Sequence, residues 1–382
     1  MTGPSDEDLR RLLEELIGID SVNPGLDASG RGEARIADYV HRWAAGHGLA
    51  VERTGDPDRP SLIITTTGTA PGPALLLCGH LDTVGHGTMT DPVTPRLAGG
   101  HLHGRGAYDM KGGLAAALAA AARLNHPGYR GRVIVAAVAD EEHLSAGAAA
   151  VLATVWADAA IVTEPTELTV AIAHRGFVWI EITVLGVAAH GSRPQLGVDA
   201  IVATGPVLTG IAGLQRRLAA TGHPDLGPGT VHASLISGGL EESTIPDRCT
   251  LIVERRTIPG ETAAQALAEI EAVLAAARSI TPGATFRAQM VTERSPMETP
   301  RDAPIVRAAL AAQQQVLGEP RPAGGVSYWA DAALISAAGI PTILLGPAGD
   351  GAHAETEWVD LASVFTTARL LTTTAQIYAA PG

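Results

Sequence analysis

Imidazoles and carboxylates stand where apolar runs of this chain give out. His80 and Asp82 follow the aliphatic stretch 74–78 in "ALLLCGHLDTVG", and Asp109 lies in "GRGAYDMKGG" just before a helical pattern. Glu141 and Glu142 end "VIVAAVADEE", Glu164 ends "AAIVTEP", and His353 lies in "GAHAETEWV". Burying such groups is expensive unless they are paired or bound to a metal. Singly, each has a plainer explanation: His80 as a hydrogen-bonded core histidine, Asp109 as a helix N-cap, the glutamates as solvated acids. Together they form a set of nitrogen and oxygen donors spread over five segments.

The elements around them explain how five segments could meet. Residues 6–17 and 32–46 carry apolar positions at three- and four-residue spacing and read as helices. Short apolar runs at 61–66, 74–78, 133–139 and 159–162 read as strands, with a helix at 110–124 between two of them. The first two runs are close enough for a hairpin. This is an α/β pattern with a mixed, largely parallel sheet, and the carboxyl ends of such strands form the ligand crevice.

From "GFVWIEITVLG" the pattern changes, with Val178, Ile180, Ile182 and Val184 alternating with Trp179, Glu181 and Thr183. The order then runs strand, helix (198–220), strand (230–236), strand (248–254), helix (261–278), strand (285–290). That βαββαβ order is the ferredoxin-like unit. The expected organisation is a discontinuous catalytic domain, 1–176 and 291–382, with a domain inserted at 177–290.

Composition bounds the partners. The chain has 382 residues, 46% of them hydrophobic but only 3% aromatic, so its cores are built from aliphatic side chains. A formal charge of −13 argues against nucleic acid or an anionic membrane as partner, since both need a basic face. No stretch approaches the roughly 20 apolar residues of a membrane span. The acidic, amphipathic N-terminal stretch and only two cysteines, Cys78 and Cys249, lead to the expectation of a cytoplasmic protein. "GRGAYDMKGG" lacks the spacing of a nucleotide-binding loop.

The elements "GHLDTV", "GRGAYDMKGGLAA", "ADEE", "EPT", "AAHGSRP", "ERRTIPGE" and "GAHAETEWV" resemble, in order and over nearly the whole chain, those of the M20 zinc peptidases and amidohydrolases. The family includes acetylornithine deacetylase, succinyl-diaminopimelate desuccinylase, aminoacylase-1 and glutamate carboxypeptidase. The resemblance implies a zinc-peptidase-like catalytic domain, a lid and dimerisation role for the inserted one, and two Zn2+ ions, with cobalt or manganese as substitutes. It implies that His80 and Glu164 bind one metal, Glu142 and His353 the other, and that Asp109 bridges both. Asp82 would orient the His80 imidazole, and Glu141 would be the general base.

The same resemblance implies that Arg256 binds a substrate carboxylate and that His190 reaches a neighbouring subunit's site to stabilise the oxyanion, hence a homodimer. The substrate would be an N-acyl amino acid or a dipeptide-like amide, the reaction deacylation or, as the second reading, carboxypeptidase cleavage. The sequence departs from the family pattern at Ser243, where many relatives carry asparagine, at Glu254 in place of aspartate, and at Tyr328 and Trp329. Ser243 is short and Trp329 bulky, so the substrate pockets are expected to be reshaped.

Overall fold

The structure, a computed structural model, describes residues 3–380, and its internal contacts divide the chain into two compact units. The first comprises Met1–Ile172, Thr299–Gly324 and Ala330–Gly382; the second comprises Ala173–Glu298 with Gly325–Trp329. The second unit therefore takes in Ala173 to Gly176, Val291 to Glu298 and the Trp329 segment, beyond the 177–290 span expected from strand spacing.

In chain order the main elements are α1 (Asp6–Ile17), α2 (Ala34–Gly46), β1 (Ala50–Asp56), β2 (Arg59–Thr65), β3 (Ala70–His80), α3 (Gly112–Leu124), β4 (Arg130–Val138), β5 (Ala159–Val162) and β6 (Ala171–His174). The second unit holds β7 (Gly176–Leu185), α4 (Ala200–Leu218), β8 (Thr230–Gly238), β9 (Arg248–Thr257), α5 (Ala263–Ile280) and β10 (Thr285–Arg294). The chain then returns through α6 (Pro304–Leu317), β11 (Thr342–Leu344) and α7 (Leu361–Tyr378).

The central sheet has the order β1-β2-β4-β3-β5-β11-β6, with β3 parallel to both β4 and β5, and β11 parallel to β5. This corrects one expectation. Residues 61–66 and 74–78 do not form a hairpin: β2 pairs antiparallel with β1 on one side and β4 on the other, and β3 lies beyond β4. The physical reason is burial. From Ala74 to His80 every residue of β3 is buried, so the strand belongs in the parallel centre, whereas β1 is largely exposed and suits an edge. Its exposed, charged sequence is also why the periodicity overlooked it.

Helices cover the sheet. α1 opens with a Ser5/Asp8 capping box and buries Leu9, Leu12, Leu13, Leu16 and Ile17. The alanine-rich α3 is buried along most of its length within the same core. Small side chains let it approach the sheet closely: a Cβ at Gly113 would fall 1.8 Å from the carbonyl oxygen of Thr163, directly before Glu164. In the second unit the antiparallel sheet has the order β8-β9-β7-β10, the ferredoxin-like arrangement. Its core is formed by Val178, Ile180, Ile182 and Val184 against Val207, Ile211 and Leu214 of α4 and Ile270, Val273 and Leu274 of α5. Cys78 and Cys249 are buried and unpaired, and among the described residues no helix is long and apolar enough to cross a membrane.

Candidate metal centre

The carboxyl ends of β3, β4 and β5 deliver His80, the Glu141–Glu142 pair and Glu164 to one region. His80 is the last residue of β3 and is buried. Its Nδ1 lies 2.8 Å from the main-chain oxygen of Asp82, to which it donates, leaving Nε2 as the available lone pair. The Asp82 carboxylate stands farther off, at 3.7 Å. Asp82 thus orients the imidazole through its carbonyl, not through its side chain as the sequence suggested. The carboxylate is used elsewhere.

Where it is used becomes clear at the turn after β4. The backbone N–H groups of four consecutive residues each donate to a side-chain oxygen from another segment. Ala139 donates to Ser61 Oγ at 3.0 Å, Asp140 to Glu33 Oε1 at 3.1 Å, and Glu141 and Glu142 to the two oxygens of Asp82, both at 3.2 Å. Asp140 sits at φ 66°, a conformation that is strained for a residue with a Cβ and persists only when its surroundings fix it. Its carboxylate accepts from Arg59 at 3.0 Å and from the fully buried amide of Asn23 at 3.1 Å. The same Asn23 nitrogen donates to Asp82 at 2.7 Å. Asn23, Glu33, Arg59 and Asp140 were not singled out from sequence; no local pattern betrays them, because they meet only through the tertiary fold.

Asp109 arrives from the tight turn 107–111 that leads into α3. The buried Glu357 holds this turn, accepting the backbone N–H groups of Gly106, Tyr108 and Asp109 at 2.9–3.1 Å and the Arg105 guanidinium at 2.9 Å. Glu357 lies four residues after His353, so one segment both supplies a candidate ligand and clamps the loop of another. The sequence contained the signal in "GAHAETEWV", but only as part of a motif.

Asp109 faces both histidines, with Oδ1 3.0 Å from His80 Nε2 and Oδ2 3.1 Å from His353 Nε2. Glu142 Oε2 lies 3.2 Å from His353 Nε2, and Glu164 Oε1 lies 3.8 Å from His80 Nε2. Donor atoms of His80, Glu141 and Glu164, and of His80, Asp109 and Glu142, fall within 4.8 Å of one another. All six side chains named from the sequence as metal ligands or base are therefore brought together.

The electrostatics of this cluster suit a cation. Burial pushes the Glu141 carboxyl well above its usual range, and the negative charge of Asp331 adds to this. Glu164 is raised in the same way by burial and then by Asp109. Burial raises Asp82 to about 6. Hydrogen bonds to Asp109 and Glu142 lift His353 to about 10. For His80, burial works against the proton, but the bond to Asp109 and the nearby glutamates outweigh it and its pKa is raised. Asp109, despite its burial, is held below the carboxylate range by the two imidazoles.

A divalent cation can replace the protons that hold such a cluster together. The donors fit one. Ligand atoms roughly 2.0–2.2 Å from a tetrahedral zinc stand about 3.3–3.6 Å apart, close to the separations of 3.0–3.8 Å between the facing donor atoms. Glu142 Oε1 is buried without a hydrogen-bond partner among the described residues, the condition of a ligand atom awaiting its ion.

The remaining candidates lie in the second unit. His190 is exposed in a short strand paired with Thr244–Ile245, its Nδ1 2.8 Å from Ser192 Oγ. Ser243 is beside it, its carbonyl accepting the N–H of Gly191 at 2.7 Å. Arg256 belongs to β9, on the sheet face away from the unit's core, and pairs with Glu254 at 2.9 Å. Two of the four residues that depart from the family pattern lie near this arginine: Glu254 pairs with it, and Trp329 meets edge-on the Phe177 ring over which Arg256 lies.

The sequence model of peptidase family M20/M25/M40 matches residues 76–377. An acetylornithine deacetylase of Proteus mirabilis is 30% identical over 377 residues, covering 94% of each chain. Among solved structures, a tripeptidase of Staphylococcus aureus superposes with a TM-score of 0.79 at 21% identity, covering 98% of this chain and 99% of that one. A dinuclear metal-binding peptidase of Bacillus subtilis superposes with a TM-score of 0.76 at 18% identity, with 98% of each chain covered.

Proposed function

Because the chain belongs to peptidase family M20/M25/M40 and is a hydrolase of amide bonds, we propose that it is a two-metal deacylase acting on an N-acyl amino acid. The observation that carries this reading is the chain His80–Asp109–His353, in which one carboxylate offers an oxygen to each of two imidazoles. In it His80, Asp109 and Glu164 would hold one ion, and Asp109, Glu142 and His353 the other. Two Zn2+ ions, bound there, would acidify a water and polarise the scissile carbonyl.

Glu141 is the general base. It follows the strained Asp140 in a turn whose N–H groups are all engaged, so its backbone is fixed while its carboxylate stays within the cluster. Its raised pKa favours taking a proton from the attacking water and handing it to the leaving amine, and neighbouring cations would bring that pKa back toward the working range. Arg256 meets the substrate carboxylate, for which a guanidinium supplies two parallel donors. His190 stabilises the developing oxyanion from the partner subunit of a homodimer. The dimer reading is supported by the edge strand β8, where Leu235 and Ile236 are exposed, and by exposed Ile201 and Val202 on α4.

Full-length likeness to an acetylornithine deacetylase favours deacylation over peptide cleavage. The deciding assay supplies zinc and compares N-acetyl amino acids with dipeptides. Turnover of the N-acetyl series supports the reading; turnover of dipeptides alone replaces it with carboxypeptidase action.

A further inference from the structure

A cleft of about 520 Å³ opens within the first unit, between segment 88–96 and segment 355–357. None of the candidate metal ligands lines it. Its floor is the buried pair Gly104 and Glu357, and this floor is fixed to both walls. The Gly104 N–H donates to the Glu357 carbonyl at 3.2 Å, and the N–H of the next residue, Arg105, donates to the Pro92 carbonyl at 2.8 Å. At the exposed rim the Thr88 hydroxyl donates to the Glu355 carboxylate and joins the walls again. A preformed cleft of this volume is in the range of small-molecule sites.

The charges around it are unequal. Arg96 and His103 are directly paired on the short strands Arg96–Ala98 and His101–His103, and so project to the same side. Burial, with the Arg96 cation beside it, lowers the His103 pKa below its usual value, so this imidazole is neutral at neutral pH. The Glu357 carboxylate is matched by Arg105 at 2.9 Å. One cation, Arg96, is left against two carboxylates, those of Asp91 and Glu355. Among the described residues none of these three has an ion-pair partner.

We propose that this cleft binds a free amino acid carrying one carboxylate and two ammonium groups, Arg96 meeting the carboxylate and Asp91 and Glu355 the ammoniums. An amino acid with a single ammonium leaves one acid unmatched, and a phosphate or a dicarboxylate meets two like charges. The occupant also has a route to the metal centre. Glu357, at the floor, accepts the backbone N–H groups of Gly106, Tyr108 and Asp109, so the occupant and the turn that carries Asp109 share one support. Occupancy and turnover are thereby coupled. That coupling rests on the deacylase reading, in which amino acids are the class of product; the binding itself does not.

The test titrates L-lysine into the zinc-loaded protein by calorimetry, beside L-alanine, which lacks the second ammonium, and pentane-1,5-diamine, which lacks the carboxylate. L-Lysine should bind saturably and at least about threefold more tightly than either, and Arg96→Gln and Asp91→Asn should each weaken it by a similar factor. Both side chains are exposed, and asparagine tolerates the Asp91 backbone at φ 51°, so both variants should keep wild-type turnover in the absence of lysine. Saturating L-lysine should change the wild-type kcat on N-acetyl amino acids by about twofold or more, an effect blunted in both variants. No saturable binding, equal constants for the three compounds, or purely competitive inhibition unmoved by both variants would overturn the proposal. A kcat indifferent to bound lysine would overturn the coupling. Variant-sensitive lysine binding by a protein that turns over neither N-acetyl amino acids nor dipeptides would uphold the cleft and sink the deacylase reading.

Discussion

The Asp82 carboxylate and the backbone of Glu141 are joined by a hydrogen bond of 3.2 Å, so the residue whose carbonyl fixes the His80 imidazole also fixes the backbone of the proposed general base. Its other oxygen takes the N–H of Glu142 at 3.2 Å, and Asn23 donates to that same oxygen at 2.7 Å. His80, Glu141 and Glu142 are thus all referenced to Asp82, and Asn23 ties the Asp82 carboxylate to Asp140.

Asn23 donates to two carboxylates, so its loss should be felt twice. Asn23→Ala removes one of several donors from each of the buried Asp82 and Asp140 carboxylates, and a hydrogen bond to a charged group contributes about 1.5–3 kcal/mol. The expected result is a lowered denaturation midpoint together with a kcat reduced about tenfold or more and a nearly unchanged KM, because the base is displaced and not the substrate contacts. A KM effect with kcat intact would contradict this role.

The turn is held through the Glu141 backbone N–H and not through its carboxylate, so removing its charge should spare the fold. Glu141→Gln is expected to bind metal in the same ratio as wild type and to lose activity by about 10²–10⁴-fold, the usual contribution of a positioned base. Metal content by mass spectrometry and turnover in the same preparation decide it; near-normal turnover would remove Glu141 from the mechanism.

Metal removal should weaken the protein, since the clustered carboxylates of Asp109, Glu141, Glu142 and Glu164 would be left facing one another. A ligand present at about a hundred times its Kd adds roughly 2.7 kcal/mol of stability. Chelated protein should therefore melt lower, and titration with Zn2+ should restore the melting temperature with an endpoint of two ions per chain. An endpoint of one would refute the bridging role given to Asp109.

If His190 serves the neighbouring subunit's site, two inactive proteins should rescue each other. Mixed dimers of His190→Ala and Glu141→Ala contain one site with both residues intact, and should regain about half of wild-type activity per mixed dimer, or about a quarter for a randomly exchanged population, by the symmetry of a two-site assembly. Persistent inactivity, with subunit exchange verified by tagged chains, would place His190 in its own subunit's chemistry or outside it.

Most of the candidate cluster was legible because His80, Glu141, Glu142 and Glu164 stand at or just after strand ends and Asp109 just before a helix, where local pattern and chemistry coincide; His353, in a loop, was visible only through its motif. The ferredoxin-like order was legible for a similar reason, since Val178 to Val184 alternate cleanly. What stayed hidden depends on contacts between distant segments. Asn23 and Glu33 lie more than a hundred residues before the turn they support, and β1 looks like a loop because its side chains are mostly exposed. The hairpin expected between 61–66 and 74–78 failed because proximity in sequence was outweighed by the burial of Ala74 to His80 in β3.

His174 offers a test of stability away from the metal centre. It is fully buried at the end of β6, its Nδ1 2.9 Å from the carbonyl of Arg175, and burial lowers its pKa to about 4. Between that value and an unfolded value of about 6.5, the unfolded chain binds a proton that the folded chain does not. Stability therefore has its full value above about pH 6.5 and is lost as the pH falls toward 4, by on the order of 3 kcal/mol from this group. In metal-free protein, denaturant unfolding measured across that window should decline less steeply for His174→Gln than for wild type. Parallel declines would mean that His174 is protonated in the folded state, contrary to the burial seen here.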